Sequence, residues 1–195
     1  QNTIGGNETE TLRSVHQTTD GGFICTGSSS SGISGDKTKP LIGATDYWII
    51  KLNASGNIVW QNTIGGTSAD YCYRAKETSD GNFIVSGSSN SPISFDKTEG
   101  TIEGVGTMDI WVLKLNTSGN IIWQNTIGGT ATETAFEMDV TPDGGAVIAA
   151  QSYSNSSADK AENNISGGTS SSDYWVIKLD TDGNFIWAKS LSGTG

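Results

Sequence analysis

The phrase QNTIGG occurs at Gln1, Gln61 and Gln124, and a Trp stands immediately before the second and third occurrences. Aligned on that Trp, the chain divides into copies 1–60, 61–123 and 124–187, of 60, 63 and 64 residues. A fourth starts at 188–195, with Leu191 in the slot of Ile64 and Gly193 in the slot of Gly66. A repeat of this kind is one structural unit that buries its apolar face only by stacking on its neighbours.

Within each copy the order of segments is constant. After QNTIGG comes a half-apolar run (TLRSVHQT, YCYRAKET, TAFEMDVT), then a turn at Asp20, Asp80 or Asp143, and a short apolar run (FICTG, FIVSG, AVIAA). A polar stretch of about twenty residues leads to DYWIIKL, DIWVLKL or DYWVIKL, and a Gly-containing turn leads back to the Trp. The period is two: Tyr47, Ile49 and Lys51 share one side of a strand, and Trp48, Ile50 and Leu52 the other. Both sides are largely apolar, so the strand is expected to be covered on both faces. Gly56, Gly119 and Gly183 occupy one turn slot where a positive φ is expected. No helical period is sustained. Even TETAFEMDV is assigned to a strand by the repeat register.

Each copy therefore reads as a four-stranded antiparallel meander. The expected fold class is all-β, a β-propeller, with 1–195 as part of one domain. A twelve-strand β-sandwich is the alternative, disfavoured because whole four-strand units repeat. Rings of this kind usually hold 4–8 blades, so about three blades of an incomplete, longer propeller are expected. On that reading QNTIGG at 1–6 is the end of an outer strand from a preceding blade, and AKSLSGTG completes the outer strand of copy three. A six-bladed ring of two chains is the less favoured account.

Composition agrees. Only 34% of residues are hydrophobic, Gly numbers 26, and the six Trp recur at fixed slots, unlike a disordered chain. The net charge of −10 speaks against nucleic acid or an anionic membrane as partner. There is no transmembrane run or signal peptide, so no membrane insertion is expected, and a secreted form would have lost its leader.

The hairpin KLNASGNIVW resembles the outer hairpin of the quinoprotein-like propeller repeat. Leu52, Asn53, Gly56 and Trp60 match, as do Leu115, Asn116, Gly119, Trp123 and Leu179, Asp180, Gly183, Trp187. That resemblance implies that the Trp docks between neighbouring blades. Over the whole chain, TTDGGFICTGSSSSGISGDKT and TDYWIIKLNASGNIVWQNTIGG resemble the tandem repeats of large secreted proteins of gliding and marine Bacteroidetes (flavobacteria). The resemblance implies an extracellular or cell-surface location and export by the type IX secretion system.

Trp48, Trp111 and Trp175, with Trp60, Trp123 and Trp187, could stack on sugars, but strict recurrence on apolar strands assigns them to packing. Asp36, Asp96 and Asp159, each followed by Lys, could ligate calcium. One carboxylate beside a Lys falls short of the six to eight oxygens calcium needs, so loop-ordering hydrogen bonds or a local ion pair are expected. Asp46, Asp109 and Asp173, and Lys51, Lys114 and Lys178, recur in all copies and are assigned to blade structure. His16 shares its slot with Lys76 and Asp139 and is read as an exposed strand residue, with no triad order around it. Cys25 and Cys72 replace apolar residues and read as free buried thiols, a disulfide remaining the alternative. No CxxC or Cys/His spacing suggests zinc.

No catalytic, cofactor-binding or metal residue is assigned, and no cofactor is expected. The long loops 28–46, 88–109 and 152–173 are where a ligand is expected, calcium or sugar included. The expected function is a non-catalytic extracellular binding or display module of a larger secreted or cell-surface bacterial protein, for adhesion or surface interaction. Its expected partners are the remaining blades of the parent protein, secretion-system or cell-surface proteins, or glycans. The alternatives are a lectin-like glycan-binding propeller and the scaffold of a secreted enzyme whose catalytic residues lie elsewhere. Tyr153 has no aromatic counterpart at the aligned loop starts of the other copies, which weakens the lectin with one site per blade.

Overall fold

A computed structural model of the chain describes residues 3–102, 106–165 and 171–191. Expectations that touch residues 1–2, 103–105, 166–170 and 192–195 lie outside it, Gly193 included. The described residues contain twelve strands and no helix. Blade 1 comprises β1 (Glu10–Gln17), β2 (Phe23–Ser29), β3 (Asp46–Leu52) and β4 (Ile58–Ile64). Blade 2 comprises β5 (Asp70–Glu77), β6 (Phe83–Ser89), β7 (Asp109–Leu115) and β8 (Ile121–Ile127). Blade 3 comprises β9 (Glu133–Val140), β10 (Ala146–Ser152), β11 (Asp173–Leu179) and β12 (Phe185–Leu191). Each blade is one antiparallel sheet in sequence order, so the three are the propeller blades the repeat implies.

The core lies between sheets. Tyr47, Ile49 and Ile64 of blade 1 pack with Phe83, Val85 and Trp111 of blade 2. Ile110, Val112 and Ile127 of blade 2 pack with Ile148, Trp175 and Ile177 of blade 3. That is why β7, between two sheets, is buried end to end, whereas β11 alternates buried with partly exposed residues, blade 3 being covered on one side only; β3 is buried almost end to end because Ile4 packs against Trp48 and Ile50 on its outer side. Tyr47 is fully buried and its counterpart Tyr174 is 74% exposed.

The repeated phrase links blades residue by residue. Gln61 Oε1 accepts from Trp48 Nε1 at 3.0 Å within its own blade. Asn62 Nδ2 reaches across to the carbonyl of Gly119 at 2.9 Å. The Gly65 and Asp96 backbones bond each other, Asp96 N donating to Gly65 O at 3.2 Å, while Gly66 N donates to Asp70 Oδ2 at 2.7 Å. Blade 2 repeats these contacts with Gln124, Asn125 and Gly128. Residues 3–6 lie beside blade 1 in the same manner, with Asp36 N donating to Gly5 O and Ile4 packed against Cys25, Trp48 and Ile50. At the other end, β12 pairs with β11, Tyr174 opposite Leu191. Both placements match the sequence reading as far as the described residues reach.

Trp60 and Trp123 dock as the hairpin resemblance implies. Trp60 Nε1 donates to Thr117 O at 2.9 Å and Trp123 Nε1 to Thr181 O at 3.1 Å. Each ring lies over the turn glycine of the next blade: a Cβ on Gly119 would sit 2.9 Å from Trp60, and one on Gly183 2.7 Å from Trp123. Gly56 has the same turn conformation, φ 80° against 81° for Gly119, but nothing lies within 4 Å of its Cβ position. This pair separates backbone strain from blade docking. Gly56→Ala is expected to cost about 1–2 kcal/mol, the left-handed penalty alone. Gly119→Ala is expected to cost about 1–3 kcal/mol more, because Trp60 must move. Urea unfolding of both variants checks this, and equal losses would reject blade docking by Trp60.

Candidate functional site

The recurrent polar residues form the frame. Lys51, Lys114 and Lys178 tie the third strand of each blade to the first turn through Asp20, Asp80 and Asp143, at 2.8, 3.0 and 3.0 Å. The Lys51 ammonium holds the Asp20 carboxyl well below the usual range; for Asp80 the Thr78 hydroxyl is the foremost cause. Asp36, Asp96 and Asp159 each accept a backbone N–H, from Gly5, Gly65 and Gly128. They order the loop by hydrogen bonds, as expected.

The adjoining lysines depart from the expected local ion pair. Lys37, Lys97 and Lys160 are at most 1% exposed, and none is paired with its neighbouring Asp among the described ion pairs. Lys97 Nζ donates to Thr126 Oγ1 at 2.7 Å and lies 4.8 Å from the Trp111 ring centroid. Asp70 and Asp109, both fully buried, supply its opposing charge. The lysine folds under the loop because the carboxylates at the ends of the neighbouring strands need a counter-charge that water cannot supply. Asp109 Oδ1 has no donor among the described residues and faces Glu133. Burial first, and Glu133 next, push the Asp109 carboxyl upward.

Cys25 and Cys72 are both free and buried, which closes the disulfide alternative, and burial pushes the Cys72 thiol up to about 12. Trp48, Trp111 and Trp175 are buried. Trp187 is 45% exposed, the open-ended member of its series. Among the described residues, no group of three or more His, Cys, Asp and Glu side chains could hold a metal ion.

The described parts of the long loops begin alike. Their first halves are copies of one another, with Ser34 paired to Lys37, Ser94 to Lys97 and Ser157 to Lys160. A further set of residues that differ between copies lies on the innermost strands. In β1, β5 and β9 the register slips at one equivalent point, leaving Arg13, Tyr73 and Phe136 as the extra residue of a β-bulge. A bulge re-aims the side chain it carries. Here it brings three different side chains into a row: the Arg13 guanidinium lies 5.3 Å from the Tyr73 ring centroid, and the Tyr73 and Phe136 rings meet edge to face at 6.2 Å.

Two ion pairs flank the row. Arg74 Nε contacts Glu137 Oε1 at 2.6 Å and Lys76 Nζ contacts Asp139 Oδ1 at 2.8 Å. Arg74 also donates to the Arg13 carbonyl at 3.0 Å. Arg13, Arg74, Lys76 and Glu137 line an open cleft of about 360 Å³ with His16, Ser14 and Val15. His16 is half-buried, not the exposed strand residue expected. Burial foremost, with the Lys76 charge next, holds its imidazole below its usual pKa and neutral near pH 7. Both arginines and the single histidine of this acidic chain thus meet at the inner strands. Alternation alone does not show the row, because a bulge breaks the period of two. The available signal is the slot itself, which holds Arg, Tyr and Phe in the three copies, as the slots of Ser14, Arg74 and Glu137 and of His16, Lys76 and Asp139 also hold unlike residues.

No family model matches the chain. A stretch of 88 residues, 43% of the chain, is 30% identical to an uncharacterized WD repeat-containing protein of Acanthamoeba polyphaga mimivirus. The match spans 6% of that protein's length. A weak likeness to a repeat protein of that description agrees with the blades.

Proposed function

We propose that the chain is a non-catalytic binding or display module of a larger, extracellular bacterial protein, a type IX secretion cargo engaged in adhesion or surface interaction. The export route and location rest on the resemblance of its repeats to those of secreted Bacteroidetes proteins. The observation that carries the binding role is the bulge row. Three blades share one frame down to single hydrogen bonds, yet Arg13, Tyr73 and Phe136 differ in chemistry and project together beside an open cleft. Side chains that serve only the frame recur; these do not.

Further copies of the repeat are the fitting partners for both end faces. Blade 1 presents an apolar hollow of about 330 Å³ lined by Trp48, Ile50, Leu12 and Cys25. Blade 3 presents Tyr174 and Trp187. The corresponding surfaces between blades 1 and 2 are mutually covered.

The test is a saccharide and peptide array probed with the labelled chain and with an Arg13→Ala, Tyr73→Ala, Phe136→Ala triple variant. Retained ligands are expected to be lost by the variant while its melting temperature is kept. An array that retains nothing, or retention indifferent to the triple variant, overturns the inner-strand reading; turnover of a retained ligand overturns the non-catalytic one.

A further inference from the structure

Resting on that binding role, we infer that the inner-strand cleft takes a sugar ring bearing a single carboxylate, a uronic acid residue, at one site per chain. Arg13 supplies the anion preference. Its guanidinium makes no ion pair among the described residues, and its planar fork matches a carboxylate in two parallel hydrogen bonds. Every other cation at the cleft is already met: Arg74 by Glu137 and Lys76 by Asp139. One free positive charge selects one negative group. A polyanion is disfavoured, because the chain as a whole carries −10 and repels multiply charged chains at longer range.

The scaffold of the ligand follows from the other groups. Tyr73 and Phe136 continue the row from Arg13 beside the cleft and outside its lining, Tyr73 under the Arg13 guanidinium and Phe136 49% exposed, so a pyranose ring that reaches past Arg13 meets apolar ring edges with its C–H faces. The two ion pairs set a donor beside an acceptor twice along the cleft. Vicinal hydroxyls, each both donor and acceptor, satisfy such an array. Neutral His16 adds a hydrogen-bonding group without further charge. The volume of about 360 Å³ lies in the range of small-ligand clefts and suits one or two sugar rings. Because Arg13, Arg74 and His16 have no like counterparts in the other copies, the site occurs once and not once per blade.

The experiment is calorimetric titration of the whole chain with three probes: xylobiose carrying one glucuronic acid, the methyl ester of that saccharide, and a tripeptide with a free C-terminal carboxylate. One site per chain is expected for the acid. The methyl ester is expected to bind at least ~10-fold more weakly, and Arg13→Gln to weaken the acid by a similar factor, the scale of one charge-assisted hydrogen-bonded contact. Tyr73→Ala is expected to weaken acid and ester alike. Equal binding of acid and ester, indifference to Arg13→Gln, three sites per chain, or binding of the tripeptide without the saccharide each overturns the uronate assignment. If the acid fails while the array yields another ligand lost by the triple variant, only the ligand class falls. If both experiments yield nothing, the binding role falls with it.

Discussion

Trp111→Ala is expected to cost about 3–5 kcal/mol, the scale for emptying a buried Trp site, whereas Trp187→Ala is expected to cost about 1 kcal/mol or less. The two residues represent the two recurrent tryptophan slots, Trp48/Trp111/Trp175 and Trp60/Trp123/Trp187, and have opposite surroundings. Trp111 is fully buried, packs on Tyr47 at 5.0 Å between ring centroids, and donates through Nε1 to Gln124 Oε1 at 3.1 Å. Its carbonyl accepts the Tyr47 hydroxyl of the neighbouring blade at 3.1 Å, and its ring covers the Lys97 ammonium. Deleting the ring therefore opens a cavity at a blade interface and removes the cover of a buried cation. Trp187 is 45% exposed at the open side of blade 3. Urea denaturation of both variants against the parent checks the contrast, and similar losses at the two sites would contradict burial by blade stacking.

Lys97→Met is expected to cost about 3–5 kcal/mol near neutral pH, because it leaves buried carboxylates without their counter-ion. The methionine keeps most of the stem volume, so the loss reports the charge. Its pH dependence identifies the mechanism. Burial, and then Glu133, already raise the Asp109 carboxyl from its ordinary value to about 7. A folded-state pKa above the unfolded one means that stability is fully present below the unfolded value and is lost as pH rises through the folded one. The parent should therefore lose stability from the ordinary carboxylate range up to about pH 7. Without the ammonium, Asp70 and Asp109 titrate higher still, so the penalty of Lys97→Met should be small at about pH 5 and large at about pH 7.5. Burial lowers the Lys97 pKa itself only to about 8, so the ammonium of the parent is mostly charged at both. Denaturant unfolding at the two pH values decides it; a loss independent of pH would remove Lys97 from the role of counter-ion.

Strand positions, turns, blade number and the pairing of β12 with β11 were all legible in the repeat. These are local or near-local properties: alternation sets which residues face which side, a positive φ of 80° calls for Gly56, and identical copies must adopt equivalent structures. Recurrence also marked Trp60 and Trp123 as packing residues before any contact was visible. What the repeat could not convey is how far a polar side chain lies from water. Lys97 reads as a loop residue beside an Asp, and only the folding of the loop over the carboxylates at the strand ends makes it one of the most buried side chains of the blade.

The bulge row depends on tertiary structure still more. Arg13, Tyr73 and Phe136 are about sixty residues apart in the chain. Their side chains meet because a one-residue slip in each inner strand turns them out of the alternating pattern, and because blade stacking brings β1, β5 and β9 side by side. Sequence by itself determined the blade, since a blade is made of contacts between neighbouring strands of one copy. The tertiary structure decided the site, since a site needs unlike residues from different copies, and their distances are set by how the blades pack.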